Sequence, residues 1–137
     1  MRKRQLECTR QAHDIVEQLR AELPQLLAVT VVDVASGLSL AAHTSSPTFD
    51  LLAAAKFQAG LVQRKHEALV ALNLPHEHLE DILITLSSQL HLFRLTRTGQ
   101  QLIALVVDAR LTNLALARDV LRTLAHQLET VPGLRAA

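Results

Sequence analysis

VVDVASGLSL, Val31 to Leu40, is an apolar run that stops at an acid, passes through Ala-Ser-Gly and resumes apolar. Two readings compete for it. Asp33 and Ser36 could stand at a strand end to handle a ligand, or the acid and glycine could serve only to reverse the chain. The residues just before them are a strand signal. Leu26 to Val34 (LLAVTVVDV) is rich in β-branched side chains and too short for a typical helix. Its Val29 and Val31 fall on one face, Ala28 and Val32 on the other. A strand apolar on both sides belongs in the middle of a sheet covered on both faces. Leu38 to His43 follows as its hairpin partner. Asp33 can accept hydrogen bonds from N–H groups two or three residues on, and Gly37 can take a positive φ. The turn role accounts for both residues, and a ligand role for Asp33 stays open.

Before the hairpin, Lys3 to Leu23 carries Leu6, Ile15, Val16, Leu19 and Leu23 at helical spacing, with Pro24 behind it. After the hairpin, Ser45-Ser46-Pro47-Thr48 reads as a helix start, and the helix is expected from about Phe49 to Leu72. One of its stripes, Leu52, Ala55, Ala59, Val62, His66 and Leu69, is suited to dock on a sheet. A second stripe holds Leu51, Ala54, Gln58, Leu61, Lys65, Ala68 and Leu72. A third holds Ala53, Phe57, Gly60, Arg64 and Ala71. Small and apolar residues thus reach well beyond the single stripe that one sheet can cover.

Three further strand-like runs follow. Leu79 to Ser88 alternates, with Ile82, Ile84 and Leu86 on one face and Asp81, Leu83, Thr85 and Ser87 on the other. Leu90 to Arg97 is the next, a turn at Thr98-Gly99 intervenes, and Gln101 to Val107 is apolar on both faces, which places it beside Val29–Val32. Asn113 to Glu129 reads as a final helix capped by Thr112 or Asn113, with a tail at 130–137 that should fray. The expectation is one domain over 1–137, core about 6–129, of α+β class. It is an α/β/α sandwich around a five-stranded, mixed but mainly antiparallel sheet, in element order α-β-β-α-β-β-β-α.

Composition narrows the function. A chain of 137 residues, 49% hydrophobic, can bury a real core. A formal charge of +1 gives no general pull toward nucleic acid or anionic lipid, and three phenylalanines without Trp or Tyr offer little to stack bases or sugars on. Met1-Arg2-Lys3-Arg4 resembles the start of a signal peptide, but no apolar segment follows it, and no run approaches the ~20 residues of a membrane span. The expected location is cytoplasmic.

Candidate chemistry is sparse. His76-Glu77-His78, with Glu80 and Asp81 behind, is the one plausible metal cluster, and a polar loop before a strand explains it more simply. Ser87 and Ser88 lack the Gly-x-Ser-x-Gly elbow, no glycine-rich loop opens a helix, and Cys8 is alone. No catalytic residue, metal or cofactor is assigned.

The element order, the hairpin VVDVASGLSLAAH, the Ala-rich helix LLAAAKFQAGLV and the late strand LIALVVDAR ahead of the last helix resemble the Roadblock family of dynein light chains and their bacterial relatives. The resemblance spans roughly Leu6 to Leu128. It implies strand order 2-1-5-4-3, with the first and last helices on one face and the middle helix on the other. It also implies a two-fold homodimer joined through the middle helices and the edge strand Leu79–Ser88, which carries no Pro or Lys to guard it. Family members resemble scaffolds that bind small Ras-like GTPases, and some bacterial ones stimulate GTP hydrolysis by rearranging the GTPase. Arg64, Arg94 and Arg97 are therefore not assigned as arginine fingers.

On that basis the interface residues are Leu51, Ala54, Phe57, Gln58, Gly60, Leu61, Arg64, Glu67, Ile82 and Ile84, with Lys56, Arg64 and Glu67 as candidates to touch a GTPase. The alternative is a small-molecule sensor of profilin-like or PAS/GAF-like architecture, with a pocket between sheet and helix.

Overall fold

Segments apolar on both faces take the centre of the sheet. The computed structural model describes residues 2–129. The chain runs α1 (Arg2–Glu22), β1 (Leu26–Asp33), β2 (Ser39–Thr44), α2 (Leu51–Ala71), β3 (Asp81–Thr85), β4 (Gln89–Leu95), β5 (Gln101–Asp108) and α3 (Leu114–Glu129). The strands form one sheet ordered β2-β1-β5-β4-β3, and every neighbouring pair is antiparallel. β1 and β5 lie at its middle, as their two-sided apolar pattern requires. The tail expected to fray, 130–137, lies outside the described residues.

Alternation along the strands splits the core in two. Val29, Val31, Leu92, Ile103, Leu105 and Val107 point to one face, where Ile15 and Leu19 of α1 meet Leu121 and Leu128 of α3. Val32, Val34, Phe93, Leu95, Leu102 and Ala104 point to the other, where Ala55, Ala59 and Val62 of α2 pack. Each large side chain fully buried in this way contributes about 1.5–3 kcal/mol relative to exposure.

The hairpin after β1 closes as its residues dictate. Asp33 Oδ2 accepts from the Ser36 backbone N–H at 3.1 Å and from Ser36 Oγ at 2.6 Å, and the Gly37 N–H donates to the Asp33 carbonyl at 2.8 Å. Gly37 has φ +72°, a conformation that any Cβ would penalise. Asp33 is a turn residue with its carboxylate engaged.

Several boundaries differ from the sequence reading, among them the start of α2 and both ends of β3. α2 begins at Leu51, not Phe49, because Asp50 is the cap: its Oδ1 accepts from the Ala53 N–H at 3.0 Å. Ser45, Ser46 and Thr48 instead stabilise the approach, with Thr44 Oγ1 accepting from the Ser46 N–H at 3.1 Å and donating to the Leu27 carbonyl at 3.0 Å. β3 is shorter than Leu79–Ser88, since its pairing ends at Thr85 and the Leu86 N–H closes a turn onto the Gln89 carbonyl at 2.9 Å. At α3 the cap is Asn113, whose Oδ1 accepts from the Leu116 N–H at 3.1 Å.

Candidate interaction surface

α2 is a hydrophobic helix that finds only part of its surface covered. It crosses β1 and β2. Its buried residues are Ala55, Gln58, Ala59 and Val62, a stripe at i, i+3, i+4, i+7. The two alanines bring the helix backbone close to the sheet, and Gly37 lies against it. A Cβ on Gly37 would come within 3.7 Å of the Lys56 Cα and 3.9 Å of the Ala59 Cβ. Leu52, which the helical wheel assigns to the docking stripe, is 74% exposed, and Gln58 occupies the buried position in its place. The small side chains at 53, 54 and 55 leave the rotation of the helix weakly specified by pattern alone.

Gln58 is therefore not on the outer face where the sequence reading puts it. It is 7% exposed, and its Oε1 is buried without a donor. Leu51 and Ala54 are half-buried along the helix flank. The outward side carries Phe57, 79% exposed, with Leu61 and Arg64 following at helical spacing and Lys56 and Glu67 beside them, all exposed. Gly60 lies in this stripe, and a Cβ there would meet no atom within 4 Å, so the fold of the single chain does not require glycine at this position. Val70 and Leu72, 75% and 63% exposed, extend the apolar surface toward the C-terminal end of the helix. Sequence reading did not assign Val70 to the interface.

The other half of the surface comes from the sheet. β3 pairs only with β4 and forms one edge of the sheet. Ile82 and Ile84 lie on the same sheet face as α2, half-buried against Phe93 and its neighbours. The apolar helix and two side chains of the edge strand thus share one face of the sheet. On the opposite face, Asp81 at the head of β3 is held by Arg118 of α3 at 2.8 Å, with Arg94 of β4 at 3.5 Å. Arg94 is thus tied into the α3 side and is not available on the α2 side.

The remaining candidates come to rest in plain roles. His76 and His78 are exposed in the loop before β3, and among the described residues no three His, Cys, Asp or Glu side chains converge to hold a metal. Cys8 is buried on α1; burial, and secondarily the Asp33 charge, push its thiol up and disfavour the thiolate. His91, on the α2 face of β4 beside Ile84, contacts Gln89 Oε1 at 3.0 Å, and burial lowers its pKa. No helix among the described residues is long and apolar enough to cross a membrane.

No protein-family profile matches the sequence, and no curated protein is similar to it in sequence. The fold is another matter. The chain is similar to the structure of Myxococcus xanthus MglB, at 14% identity and a TM-score of 0.77 over 88% of this chain and 86% of that one. It is similar to the gliding protein MglB of Thermus thermophilus, at 15% identity and a TM-score of 0.75 over 90% of each chain. A Roadblock/LC7 domain from Streptomyces avermitilis matches at 15% identity and a TM-score of 0.73, over 85% of this chain and 93% of that one. The resemblance read from the residues holds in three dimensions: the fold is the Roadblock fold.

Proposed function

We propose that the protein is a homodimeric Roadblock-type scaffold or regulator of a small Ras-like GTPase, with no active site of its own. One observation carries this reading: the exposed apolar stripe of α2 and the half-buried Ile82 and Ile84 of the edge strand β3 lie over the same face of the sheet. A protein that presents such a surface needs a protein to cover it. A second copy fits both parts at once, with helix against helix and strand against strand, extending two five-stranded sheets into one. Gly60 supports the helix contact, because close approach of a second helix gives a reason for the missing side chain that the single chain does not. One solved MglB structure of this fold is described as having a tetrameric arrangement, which is consistent with self-association through more than one surface.

The GTPase partner rests on the Roadblock resemblance. Lys56, Arg64 and Glu67 form a charged rim around the apolar stripe, and charged rims set orientation and partner choice more than affinity. Stimulation of hydrolysis would act by ordering the catalytic groups of the GTPase itself. Arg64→Ala should then weaken binding yet leave turnover intact at saturating concentration. The test is to mix the purified protein with small Ras-like GTPases of the same organism, GTP-loaded and GDP-loaded, and to measure binding and turnover. Binding that depends on the nucleotide is expected. Absence of binding to every such GTPase in both nucleotide states would overturn the reading.

A further inference from the structure

Beside α3, on the sheet face opposite α2, a cavity of about 440 Å³ opens between the helix and the ends of β3 and β4. Arg94, Arg97 and Arg122 line it together with His78, Glu80 and His126, beside an apolar patch at Ala125. Its volume is that of a small-ligand site. Three guanidinium groups face one carboxylate in the lining, which leaves the walls positive. Adding the neighbours Asp81, Asp119 and Arg118 still leaves an excess of positive charge.

The guanidinium groups are incompletely spent. Arg94 shares Asp81 Oδ2 with Arg118, and Arg118 holds the nearer position, at 2.8 Å against 3.5 Å. The Arg94 Nε–H is buried with no acceptor. Arg97 forms no ion pair among the described residues, while Arg122 pairs with Asp119 one turn away on the exposed side of the helix. A half-buried arginine with an unfilled donor, beside a second arginine free of carboxylates, is the donor set that a tetrahedral dianion satisfies through several charge-assisted hydrogen bonds.

We propose that this cavity binds the phosphate group of a small molecule, with Arg94 and Arg97 as the principal donors and Arg122 completing the charge. Ala125 provides an apolar patch beside whatever the phosphate is attached to. The site belongs to the α3 face and does not depend on the GTPase reading.

The test uses the whole chain, titrated with inorganic phosphate and with ribose 5-phosphate, read by calorimetry and by NMR of the arginine Nε–H groups. Saturable one-site binding is expected, with a Kd of about 0.1–1 mM and a shift of the Arg94 Nε–H signal. Arg97→Gln should weaken it about tenfold, and Arg94→Lys, which keeps charge but loses the fork, by a similar factor. Arg10→Gln, on α1, should change nothing. Arg97 is exposed, so its substitution leaves the fold intact, which circular dichroism checks. Equal affinity for the two probes assigns the pocket to the free ion, and tighter binding of the sugar phosphate assigns it to an ester. Non-saturable binding, an unaffected Arg97→Gln variant, or tighter binding of a polyglutamate peptide would overturn the proposal.

Discussion

Arg118 of α3 reaches across to Asp81 at the head of β3 with two contacts to one carboxylate oxygen, Nη2 at 2.8 Å and Nε at 3.2 Å. The pair ties the last helix to the strand that forms the sheet edge. Asp81 is only 20% exposed and also offsets Arg94, so its removal leaves an under-neutralised guanidinium. Asp81→Asn should cost about 1–2 kcal/mol in urea unfolding. Amide exchange should rise at Ile82 and Ile84 above all, since within one chain β3 has a neighbour on one side only. Unchanged exchange there would show that the ion pair does not hold the edge.

The two glycines near α2 should respond oppositely to alanine. Gly37→Ala meets only ordinary contacts but must hold φ near +72°, so it should destabilise by about 1 kcal/mol. Gly60→Ala has open space and a helical backbone, so the protomer should gain about 0.5–1 kcal/mol. Gly60→Leu should leave the protomer folded and weaken self-association, which sedimentation velocity measures.

Gln58 poses a sharper question. Its Oε1 is buried without a donor, so Gln58→Met removes an unfilled acceptor while conserving volume. The protomer should be unchanged or more stable by about 1 kcal/mol. A loss of stability would mean that the amide has a partner, and a loss confined to the associated form would place that partner on the second copy.

Acid should weaken the fold through His91. Burial lowers its pKa from 6.5, so the fold favours the neutral ring. Its contribution is complete above 6.5 and declines as the pH falls below that value, because the unfolded chain takes up the proton first. The urea midpoint should therefore fall between about pH 7.5 and pH 5, and His91→Gln should reduce that fall. Cys8, whose thiol is pushed up, should react with a disulfide reagent at neutral pH only after unfolding.

The sheet was largely readable because its signals are local. Apolar residues on both faces of 28–32, with Thr30 the exception, and at successive positions of 102–107 leave no solvent face, so these strands had to be central. Asp33 and Gly37 carry their own turn chemistry within five residues. The rotation of α2 was not readable, since Ala53, Ala54 and Ala55 offer nearly equivalent contact faces and only the packed helix selects Gln58 over Leu52. The arginine-lined cavity was invisible for a different reason. Arg94, Arg97 and Arg122 share no motif and meet only because α3 folds back over the end of β4.

Sedimentation equilibrium of the wild-type chain and of Phe57→Glu tests the proposed assembly most directly. Phe57 is 79% exposed, so the substitution spares the protomer, but it places a charge in the middle of the apolar stripe. The expected result is a wild-type mass twice the 15.1 kDa of one chain, falling to that of a single chain in the variant with its circular dichroism unchanged. A wild-type protein that sediments as a single chain, or a Phe57→Glu variant that keeps the doubled mass, would contradict assembly through this face of α2.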